Sequence, residues 1–213
     1  MQIFLLGATG ATGQELLKIL SITYDTKLLV RNPEKILFEQ FKSQHKIEVI
    51  KGDISEADKL KQHFDGCDVI ISSLGTGMEN RLTDIYSNGG RNILNAMRAN
   101  GIKKLITITS GLIDVSDPGT DNFFLNRIIR PNYNKPYYDM IRWETILDDT
   151  KDIDWVCVRP TKLIDKPATH NYRVQPNHCP PKGWKISRAD MADFILKQIT
   201  SNEYIHKKPV VAY

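Results

Sequence analysis

A glycine turn directly follows the first apolar segment of the chain. Gln2–Leu6 has the length of a buried strand, and the letters GATGATG at positions 7–13 lead into an amphipathic run. A strand, a glycine turn and a helix in this order form the start of a βαβ unit that binds a dinucleotide. In such a unit Gly7 permits the tight turn, Gly10 lets the backbone approach a pyrophosphate, and Gly13 lets the helix pack close to the strand. The helix start offers amide groups and a positive dipole end to the phosphates, whereas the alternative is a tight turn without a ligand.

Apolar segments of strand length alternate with segments of helical period along the rest of the chain. The predicted strands are Gln2–Leu6, Lys27–Val30, Ile47–Ile50, Val69–Ser72, Leu105–Thr109, Trp155–Val158 and Pro209–Val211. The predicted helices are Ala11–Leu20, Ile36–Ser43, Ala57–Phe64, Thr83–Asn100, Tyr138–Asp148 and Arg188–Thr200. This alternation predicts an α/β fold, a single Rossmann-type doubly wound parallel sheet with helices on both faces. Ser55 is expected to cap a helix, and Asn100-Gly101 to end one.

Two irregular stretches interrupt the alternation. The 213 residues suit one domain, and no linker divides them. The stretches 111–136 and 161–185 both carry proline, glycine and aromatic residues. Each follows the carboxyl end of a predicted strand, where open α/β sheets bind ligands. They are therefore predicted to form the walls of a substrate pocket.

The composition disfavours several other classes of protein. The net charge of +4 is mild and the basic residues are scattered, so nucleic-acid binding is not expected. No stretch is long enough to cross a membrane, and the first strand leaves no room for a signal peptide, which together predict a cytoplasmic protein. The three cysteines are far apart, so a disulfide framework is not expected. His170, His178 and Cys179 have no metal-ligand spacing, and no metal site is predicted.

The second predicted strand is followed by an arginine rather than an acid. In NAD-binding units an acid at this point holds the ribose 2′-OH, whereas Arg31 can pair with a 2′-phosphate. The sequence therefore favours NADP(H) over NAD(H) as the cofactor. After the third strand, Asp53 can accept a hydrogen bond from the adenine amino group with Ile54 against the ring, or Asp53 can cap a helix. The segment Ser73-Leu74-Gly75 is expected beside the cofactor, because small residues give access to the backbone.

Several segments together resemble the NmrA-like group of atypical short-chain dehydrogenase/reductases. The glycine turn, Leu29-Val30-Arg31 and Gly52-Asp53 carry the first part of this resemblance. It extends over nearly the whole chain through the segments Ser87–Ile93, Lys103–Ser110, Val158–Thr161 and Ile186–Ala192. Within the group, Ser73–Thr76 and Ser201–Tyr204 are similar to the biliverdin-IXβ and flavin reductases. The resemblance is specific in the cofactor-binding part and unspecific in the substrate part.

The resemblance implies roles for particular residues around an NADP(H) molecule. The pyrophosphate would be lined by Gly7, Thr9, Gly10, Ala11, Thr12 and Gly13. Arg31 would bind the 2′-phosphate. Thr109 and Ser110 would lie beside the nicotinamide, and Pro160 and Thr161 would contact its carboxamide through backbone groups. The resemblance also implies a monomer that acts on a small-molecule acceptor.

The residues expected to handle protons depart from the usual pattern of these enzymes. Typical members use a Tyr-x-x-x-Lys pair, in which the lysine lowers the pKa of the tyrosine so that its phenol exchanges a proton with a carbonyl substrate. The motif is expected to begin near Tyr137, but the sequence has Arg142 four residues after Tyr138, and arginine does not give up its proton. Routine alcohol–ketone chemistry is therefore not expected. Ser110 and Tyr137 remain the candidate catalytic residues, although a serine here can also end its strand by bonding local backbone.

Aromatic residues are concentrated in or beside the first irregular stretch. Side chains that could stack on a planar acceptor are Phe123, Phe124, Tyr133, Tyr137 and Tyr138. The alternative is a short lid helix with a buried apolar face. This buried interpretation is favoured for Leu125, Ile128 and Ile129.

Three functional hypotheses follow from these patterns. The first is an NADPH-dependent reductase of a conjugated acceptor such as a flavin, quinone or linear tetrapyrrole, which needs hydride from the cofactor and orientation from the protein. A histidine-assisted proton step is not expected, because Glu144 stands where the related reductases can have a histidine. The second is a non-catalytic NADP(H)-sensing regulatory protein, and the third is a nucleotide-sugar epimerase or dehydratase, which the short C-terminal portion disfavours. An open apolar cleft over the nicotinamide favours the enzyme, and a cleft filled by residues 111–136 favours the sensor.

Overall fold

The computed structural model describes residues 1–36, 43–77, 79–120, 123 and 125–213. Its strands are β1 Gln2–Leu6, β2 Asp25–Val30, β3 Ile47–Lys51, β4 Val69–Ser72, β5 Lys104–Ile108, β6 Asp154–Pro160, β7 Lys162–Ile164, β8 Arg173–Pro176, β9 Lys185–Ser187 and β10 Pro209–Ala212. Its helices are α1 Ala11–Thr23, α2 Ala57–His63, α3 Ser87–Ala99, α4 Arg130–Asn132, α5 Asn134–Asp149 and α6 Arg188–Gln198. A short 3₁₀ turn at Pro33–Lys35 and a π-helical turn at Leu125–Ile129 complete the regular structure.

Eight of these strands form one sheet in the order β3-β2-β1-β4-β5-β6-β10-β8. All pairings in it are parallel except that of β10 with the edge strand β8. The prediction of a Rossmann-type sheet is confirmed, and the strand order reverses between β1 and β4. The antiparallel edge strand and a separate parallel pair, β7 with β9, were not predicted. These strands have three or four residues each, which is too short for a recognisable period.

Alternating side chains of the strands build two apolar layers. Ile3 and Leu5 pack with α1 and α6 on one face of the sheet, whereas Phe4 and Leu6 pack with α2, α3 and α5 on the other. Successive side chains of a strand point to opposite faces of the sheet, and here helices cover both faces. The central strands are therefore mostly apolar, which explains the continuous apolar runs in the sequence. No helix within the described ranges is long and apolar enough to cross a lipid bilayer.

Several helix boundaries differ from the sequence-based expectations. Helix α3 begins at Ser87 rather than Thr83. Helix α5 begins four residues before the predicted start, because Pro136 lies in its first turn, where no amide donor is needed. The stop at Asn100-Gly101 is confirmed, with Gly101 at a φ of +67°. The predicted helix over 36–43 falls mainly on residues 37–42, which lie outside the described residues.

The prediction that Ser55 caps a helix is wrong. Helix α2 begins at Ala57, and the residue before it is Glu56, which makes no capping bond. The amide of Ser55 instead donates to the carboxylate of Asp53 at 2.9 Å, and the amide of Asp53 donates to Glu56 at 3.2 Å. A local turn therefore replaces the predicted cap.

Candidate functional site

The glycine turn closes the space between β1, α1 and β4. Gly7 has a φ of +82°, and a Cβ atom there would lie 2.6 Å from the carbonyl oxygen of Ser73. A Cβ atom on Gly13 would lie only 2.0 Å from the carbonyl oxygen of Gly7. The amide of Gly10 donates to the same carbonyl at 3.0 Å and tightens the turn. Gly7 and Gly13 therefore allow backbone contacts that no side chain could accommodate.

The start of α1 is exposed and bears no acid. Gly10 precedes the helix in an extended conformation and makes no side-chain cap, and the first helical turn contains no acidic residue. Gly10 and Ala11 are exposed, while Thr9 and Thr12 are half-buried. Uncapped amides and a positive dipole end are the features that bind anions at helix N-termini. The residues predicted to line a pyrophosphate are thus together at one accessible helix end.

Arg31 and Asp53 meet at the carboxyl ends of β2 and β3. The Arg31 side chain is 71% exposed, and its Nε atom is 3.9 Å from an oxygen of Asp53. Hydrogen bonds from Ser55 lower the pKa of Asp53, so Asp53 is a carboxylate at neutral pH. Ile54, expected against an adenine ring, is instead buried in the core, where a Cβ atom on Gly89 would lie 3.3 Å from it. Its small exposed area leaves little surface for a base.

The segment after β4 is fixed against the end of β1. The amide and the hydroxyl of Ser73 both donate to the carbonyl of Leu6 at 2.9 Å. Leu74 is half-buried, and Gly75 is next to the hydroxyl of Tyr86, which would be 3.0 Å from a Cβ atom at this glycine. Burial raises the pKa of Tyr86 to about 12, so its phenol is neutral. Ser73-Leu74-Gly75 therefore lies at the β1–β4 crevice, where open α/β sheets bind dinucleotides.

The two candidate catalytic residues lie close together. Ser110 follows β5, and Tyr137 lies in the first turn of α5. The side chain of Ser110 lies near the phenol of Tyr137 and acts to lower its pKa. The Ser110 hydroxyl oxygen accepts the amide of Leu112 at 3.2 Å. Burial raises the pKa of Tyr137, and the nearby Ser110 only partly offsets this effect. The position four residues after Tyr137 is Ile141, so α5 brings no lysine to this phenol.

A buried ion pair lies beside Thr109, the residue before Ser110. Arg159 of β6 and Glu144 of α5 have side chains only 7% and 6% exposed. Both guanidinium Nε and Nη2 donate to the carboxylate of Glu144, the Nε bond being 2.9 Å long. The hydroxyl of Thr109 donates to Glu144 at 2.7 Å. Thr109 therefore turns its hydroxyl inward, so only its backbone remains for the predicted nicotinamide contact.

Arg159 also connects both irregular stretches to the sheet. Its Nη1 atom is 3.3 Å from a carboxylate oxygen of Asp114 and 3.3 Å from the carbonyl of Asn177. The importance of Arg159 and Glu144 was not predicted from the sequence. The available signal was a charged residue within the apolar run of β6 and an acid on the inner face of α5.

Backbone groups at Pro160 and Thr161 are engaged within the sheet. The carbonyl of Pro160 accepts the amide of Gly111 at 2.9 Å. The amide and hydroxyl of Thr161 both point to the carbonyl of Val211 at 3.4 Å. A nicotinamide carboxamide at Pro160-Thr161 would therefore compete with these intramolecular hydrogen bonds. The two bonds of Thr161 are long.

The two irregular stretches contact each other as walls of one region. The buried carboxylate of Asp117 accepts the amide of Gly119 at 2.8 Å and that of Cys179 at 2.6 Å. Arg130 donates through Nε to the carbonyl of Leu112 at 2.9 Å. Residues 111–120 are thus tied to the second stretch on one side and to α4 on the other.

The aromatic and apolar residues of the first stretch take different positions. Leu125 is buried as predicted, but Ile128 is 43% exposed, so its predicted burial is wrong. Phe123 and Tyr138 are exposed, and Phe124 lies outside the described residues. The ring of Tyr133 lies 6.3 Å from that of Tyr137, centroid to centroid. The turn is π-helical, with more residues per turn than an α-helix, so the predicted α-helical face does not form.

The remaining acidic and histidine side chains form no candidate metal site among the described residues. Within the described part of the chain, no three His, Cys, Asp or Glu side chains are grouped to hold a metal ion. His170 lies 3.2 Å from Asp193 at the surface. A surface cavity of about 350 Å³ lies away from Ser110, beside Lys18 of α1 and Arg188 of α6.

The sequence profile of NAD(P)H-binding proteins matches residues 7–202, which is most of the chain. The chain belongs to the NAD(P)H-binding family. The match includes the glycine turn, the β1–β4 crevice and the Ser110–Tyr137 pair. The coarse prediction of an NAD(P)-binding Rossmann-type domain is confirmed.

Solved structures similar to this NAD(P)H-binding protein include oxidoreductases. The oxidoreductase ylbE from Lactococcus lactis has a TM-score of 0.81 at 20% identity, covering 100% of this chain and 90% of that one. A short-chain dehydrogenase/reductase (wide type) from Veillonella parvula, solved in complex with NADP, has a TM-score of 0.81 at 17% identity, covering 100% and 94%. The chuY protein from E. coli has a TM-score of 0.76 at 19% identity, covering 100% and 96%. At these identities the likeness shows the fold.

Proposed function

We propose that this protein is an NADPH-dependent reductase that transfers hydride to a conjugated acceptor such as a flavin, quinone or linear tetrapyrrole. The observation that carries the proposal is the tight glycine turn at the open start of α1, with Ser110 at the end of β5 and Tyr137 at the start of α5 near it. A dinucleotide with its pyrophosphate at the start of α1 would extend across the β1–β4 crevice toward this pair. The cofactor supplies hydride, and the protein orients the acceptor against it.

The roles proposed for the cofactor-binding residues follow the positions of the strand ends. The amides at the start of α1 would bind the pyrophosphate, and Ser73-Leu74-Gly75 would lie along the cofactor. The backbone of Thr109 and the side chain of Ser110 would flank the nicotinamide, because both follow β5 directly. The protein would act as a monomer in the cytoplasm on a small-molecule acceptor.

The state of the Tyr137 phenol favours the direction of reduction. Burial raises the pKa of Tyr137, so the phenol holds its proton at neutral pH and can donate it. The reverse reaction would need the phenolate as a base, and Ile141 in place of a lysine gives no help in forming it. We therefore expect NADPH-dependent reduction of a conjugated acceptor and no measurable oxidation of simple alcohols with NADP⁺.

Arg31 is the residue on which the preference for NADPH depends. Its exposed guanidinium at the end of β2 is well placed for a charge-assisted bond to a 2′-phosphate. Arg31→Ala is expected to raise the KM for NADPH roughly 10- to 100-fold and to change the KM for NADH little, since such bonds contribute about 1.5–3 kcal/mol. Steady-state oxidation of both cofactors measures the change. Lys35→Ala, which removes an exposed positive charge from the same loop, is the control.

The acceptor assay separates the proposed enzyme from its alternative. Oxidation of NADPH by the purified protein is followed with FMN, a small quinone and biliverdin as separate acceptors, with NADH in parallel. Saturable turnover with NADPH supports the reductase.

A loss of NADPH affinity with Lys35→Ala equal to that with Arg31→Ala would contradict the role given to Arg31.

A non-catalytic NADP(H) sensor is the second candidate. Two observations favour it. Ile141 occupies the position of the usual lysine. Hydrogen bonds from Arg130 to Leu112 and from the amide of Cys179 to Asp117 hold residues 111–120 in place. Tight NADPH binding with no turnover on any of the acceptors would support this candidate and reject the reductase.

A further inference from the structure

We infer that the surface cavity beside α1 and α6 is a second ligand site, which binds a phosphorylated polyhydroxy compound of the sugar-phosphate class. The cavity has a volume of about 350 Å³ and is bordered by the middle of α1, the segment after β7 and the start of α6. Sites for small molecules typically have volumes of about 300–1,000 Å³. None of the residues proposed to bind the dinucleotide or to handle protons lines the cavity, so this site is separate from the proposed reductase chemistry.

The small parallel pair of β7 and β9 brings the charged side chains of the cavity together. Ile164 of β7 lies opposite Ser187 of β9. The next residues, Asp165 and Arg188, therefore leave the carboxyl ends of two paired strands side by side. The Nη1 atom of Arg188 lies 2.6 Å from the carboxylate of Asp165. Lys166 follows on the same segment, so one strand pair delivers an acid and two cations to one edge of the cavity.

The segment after β7 is tied to α6 by hydrogen bonds. The amides of Thr169 and His170 donate to the buried carboxylate of Asp190 at 2.9 and 2.7 Å. The hydroxyl of Tyr172 donates to Asp193, one turn further along α6, at 2.6 Å. This wall of the cavity is therefore formed by the fold itself, and a ligand needs to order little backbone when it binds.

The charges that line the cavity favour an anion. Three cations and two acids border it, which leaves one positive charge in excess. Lys18 lies 2.6 Å from Glu15, and Arg188 pairs with Asp165, so each acid already has a partner. Among the described residues no carboxylate lies within ion-pair distance of Lys166, and Arg188 donates only through Nη1. An ammonium group and a guanidinium with further donors are the groups that bind phosphate in proteins.

The two acids and the lack of rings favour a ligand with hydroxyl groups. An ionised carboxylate only accepts hydrogen bonds, so Glu15 and Asp165 can bind hydroxyls of the ligand but would repel a second phosphate. None of the described residues that line the cavity is aromatic, so nothing there stacks on a nucleobase or a flavin. A phosphate beside the cations and hydroxyls beside the acids together describe a sugar phosphate.

Binding to the ¹⁵N-labelled protein is measured by NMR titration, with and without NADP⁺. The probes are ribose 5-phosphate, inorganic phosphate and ribose. Ribose 5-phosphate is expected to bind with a Kd of about 0.1–1 mM and to shift the amide resonances of Lys166 and Ala189, which line the cavity. Inorganic phosphate should bind about tenfold more weakly, since it has no hydroxyls for the acids, and ribose should not bind measurably up to about 10 mM. Addition of NADP⁺ should leave these affinities unchanged.

Charge-removing variants test the two halves of the ligand separately. Lys166→Gln and Arg188→Gln are each expected to weaken ribose 5-phosphate about tenfold, because each removes a charge-assisted contact. Lys162→Gln, which removes the same charge from an exposed position in β7 outside the cavity, should leave the affinity unchanged. Asp165→Asn releases Arg188 but weakens a hydroxyl acceptor. Inorganic phosphate should therefore bind more tightly to this variant, and the advantage of ribose 5-phosphate over it should fall several-fold.

Each half of the proposal has an outcome that overturns it. The site is refuted by a lack of saturable binding of both phosphate compounds, by displacement of ribose 5-phosphate by NADP⁺, or by an equal loss of affinity with Lys162→Gln and Lys166→Gln. The ligand class is refuted if inorganic phosphate binds as tightly as ribose 5-phosphate. Every measurement here is of binding without turnover, so a failed acceptor assay leaves this site standing, and its own failure leaves the proposed reductase untouched.

Discussion

At the scale of single residues, the glycines of the turn have different tasks although they share one motif. A Cβ atom on Gly13 would lie 2.0 Å from a backbone oxygen, whereas one on Gly10 would approach the nearest protein atom, the carbonyl oxygen of Gly7, only to 3.4 Å. Gly13→Ala is therefore expected to destabilise the fold by about 1–3 kcal/mol, because α1 must move away from β1. Gly10→Ala should leave the free energy of unfolding within about 0.5 kcal/mol of wild type and weaken NADPH binding.

These two variants are compared by urea unfolding and by NADPH fluorescence titration. Each replaces a glycine of the same turn by the same residue, so each controls for the other. Equal losses of stability in both variants would contradict the assignment of Gly13 to packing. Unchanged NADPH affinity in Gly10→Ala would contradict the proposed position of the pyrophosphate.

At the scale of elements, the Glu144–Arg159 pair joins α5, β6 and both irregular stretches. Replacing Glu144 leaves the buried Arg159 with only Asp114, at 3.3 Å, as a carboxylate partner, so Glu144→Gln is expected to lower the free energy of unfolding by about 3 kcal/mol. The double variant Glu144→Leu with Arg159→Met should recover much of this loss, since it removes both buried charges. Urea denaturation measures all of these changes.

An exposed ion pair of similar geometry provides the matched control. Arg98 and Asp152 are 2.8 Å apart on the surface and roughly half-exposed. Arg98→Met is expected to cost about 1 kcal/mol or less, because solvent screens the pair. A loss with Arg98→Met as large as that with Glu144→Gln would show that burial does not set the strength of the buried pair.

At the scale of the whole molecule, Asp190 joins segments distant in sequence. This buried carboxylate accepts the amides of Thr169 and His170, at 2.9 and 2.7 Å, and the hydroxyl of Tyr213 at 2.5 Å. Burial alone would raise the pKa of Asp190, but the hydrogen bonds, above all that from Tyr213, hold it below its ordinary value.

The acid stability of the protein should report this contact. Because the folded-state pKa of Asp190 is lowered, its stabilising contribution is complete above about pH 4, the ordinary pKa of an aspartate, and is lost as the pH falls through the folded value. Asp190→Asn is therefore expected to destabilise most at pH 7 and progressively less below pH 4, as measured by urea unfolding at each pH. A difference from wild type that stays constant from pH 7 to pH 2 would contradict this role.

The sequence by itself determined the order of the seven parallel strands of the main sheet, the glycine turn and the residues at the strand ends. These features depend on local periods and on the backbone needs of a few positions, so neighbouring residues are enough to predict them. Gly7 and Gly13 were interpreted correctly for this reason, as was the stop after α3. Arg31 and Ser110 were singled out because the carboxyl ends of parallel strands meet at one edge of the sheet.

Only the tertiary structure decided what surrounds these positions. Ile54 is buried beside Gly89, Glu144 pairs with Arg159, and Tyr137 lies near Ser110. Each of these contacts joins two different elements, and the sequence of neither element has a period or spacing that specifies its partner. Whether a charged side chain is paired, and whether a phenol keeps its proton, depends on which elements the packing brings together.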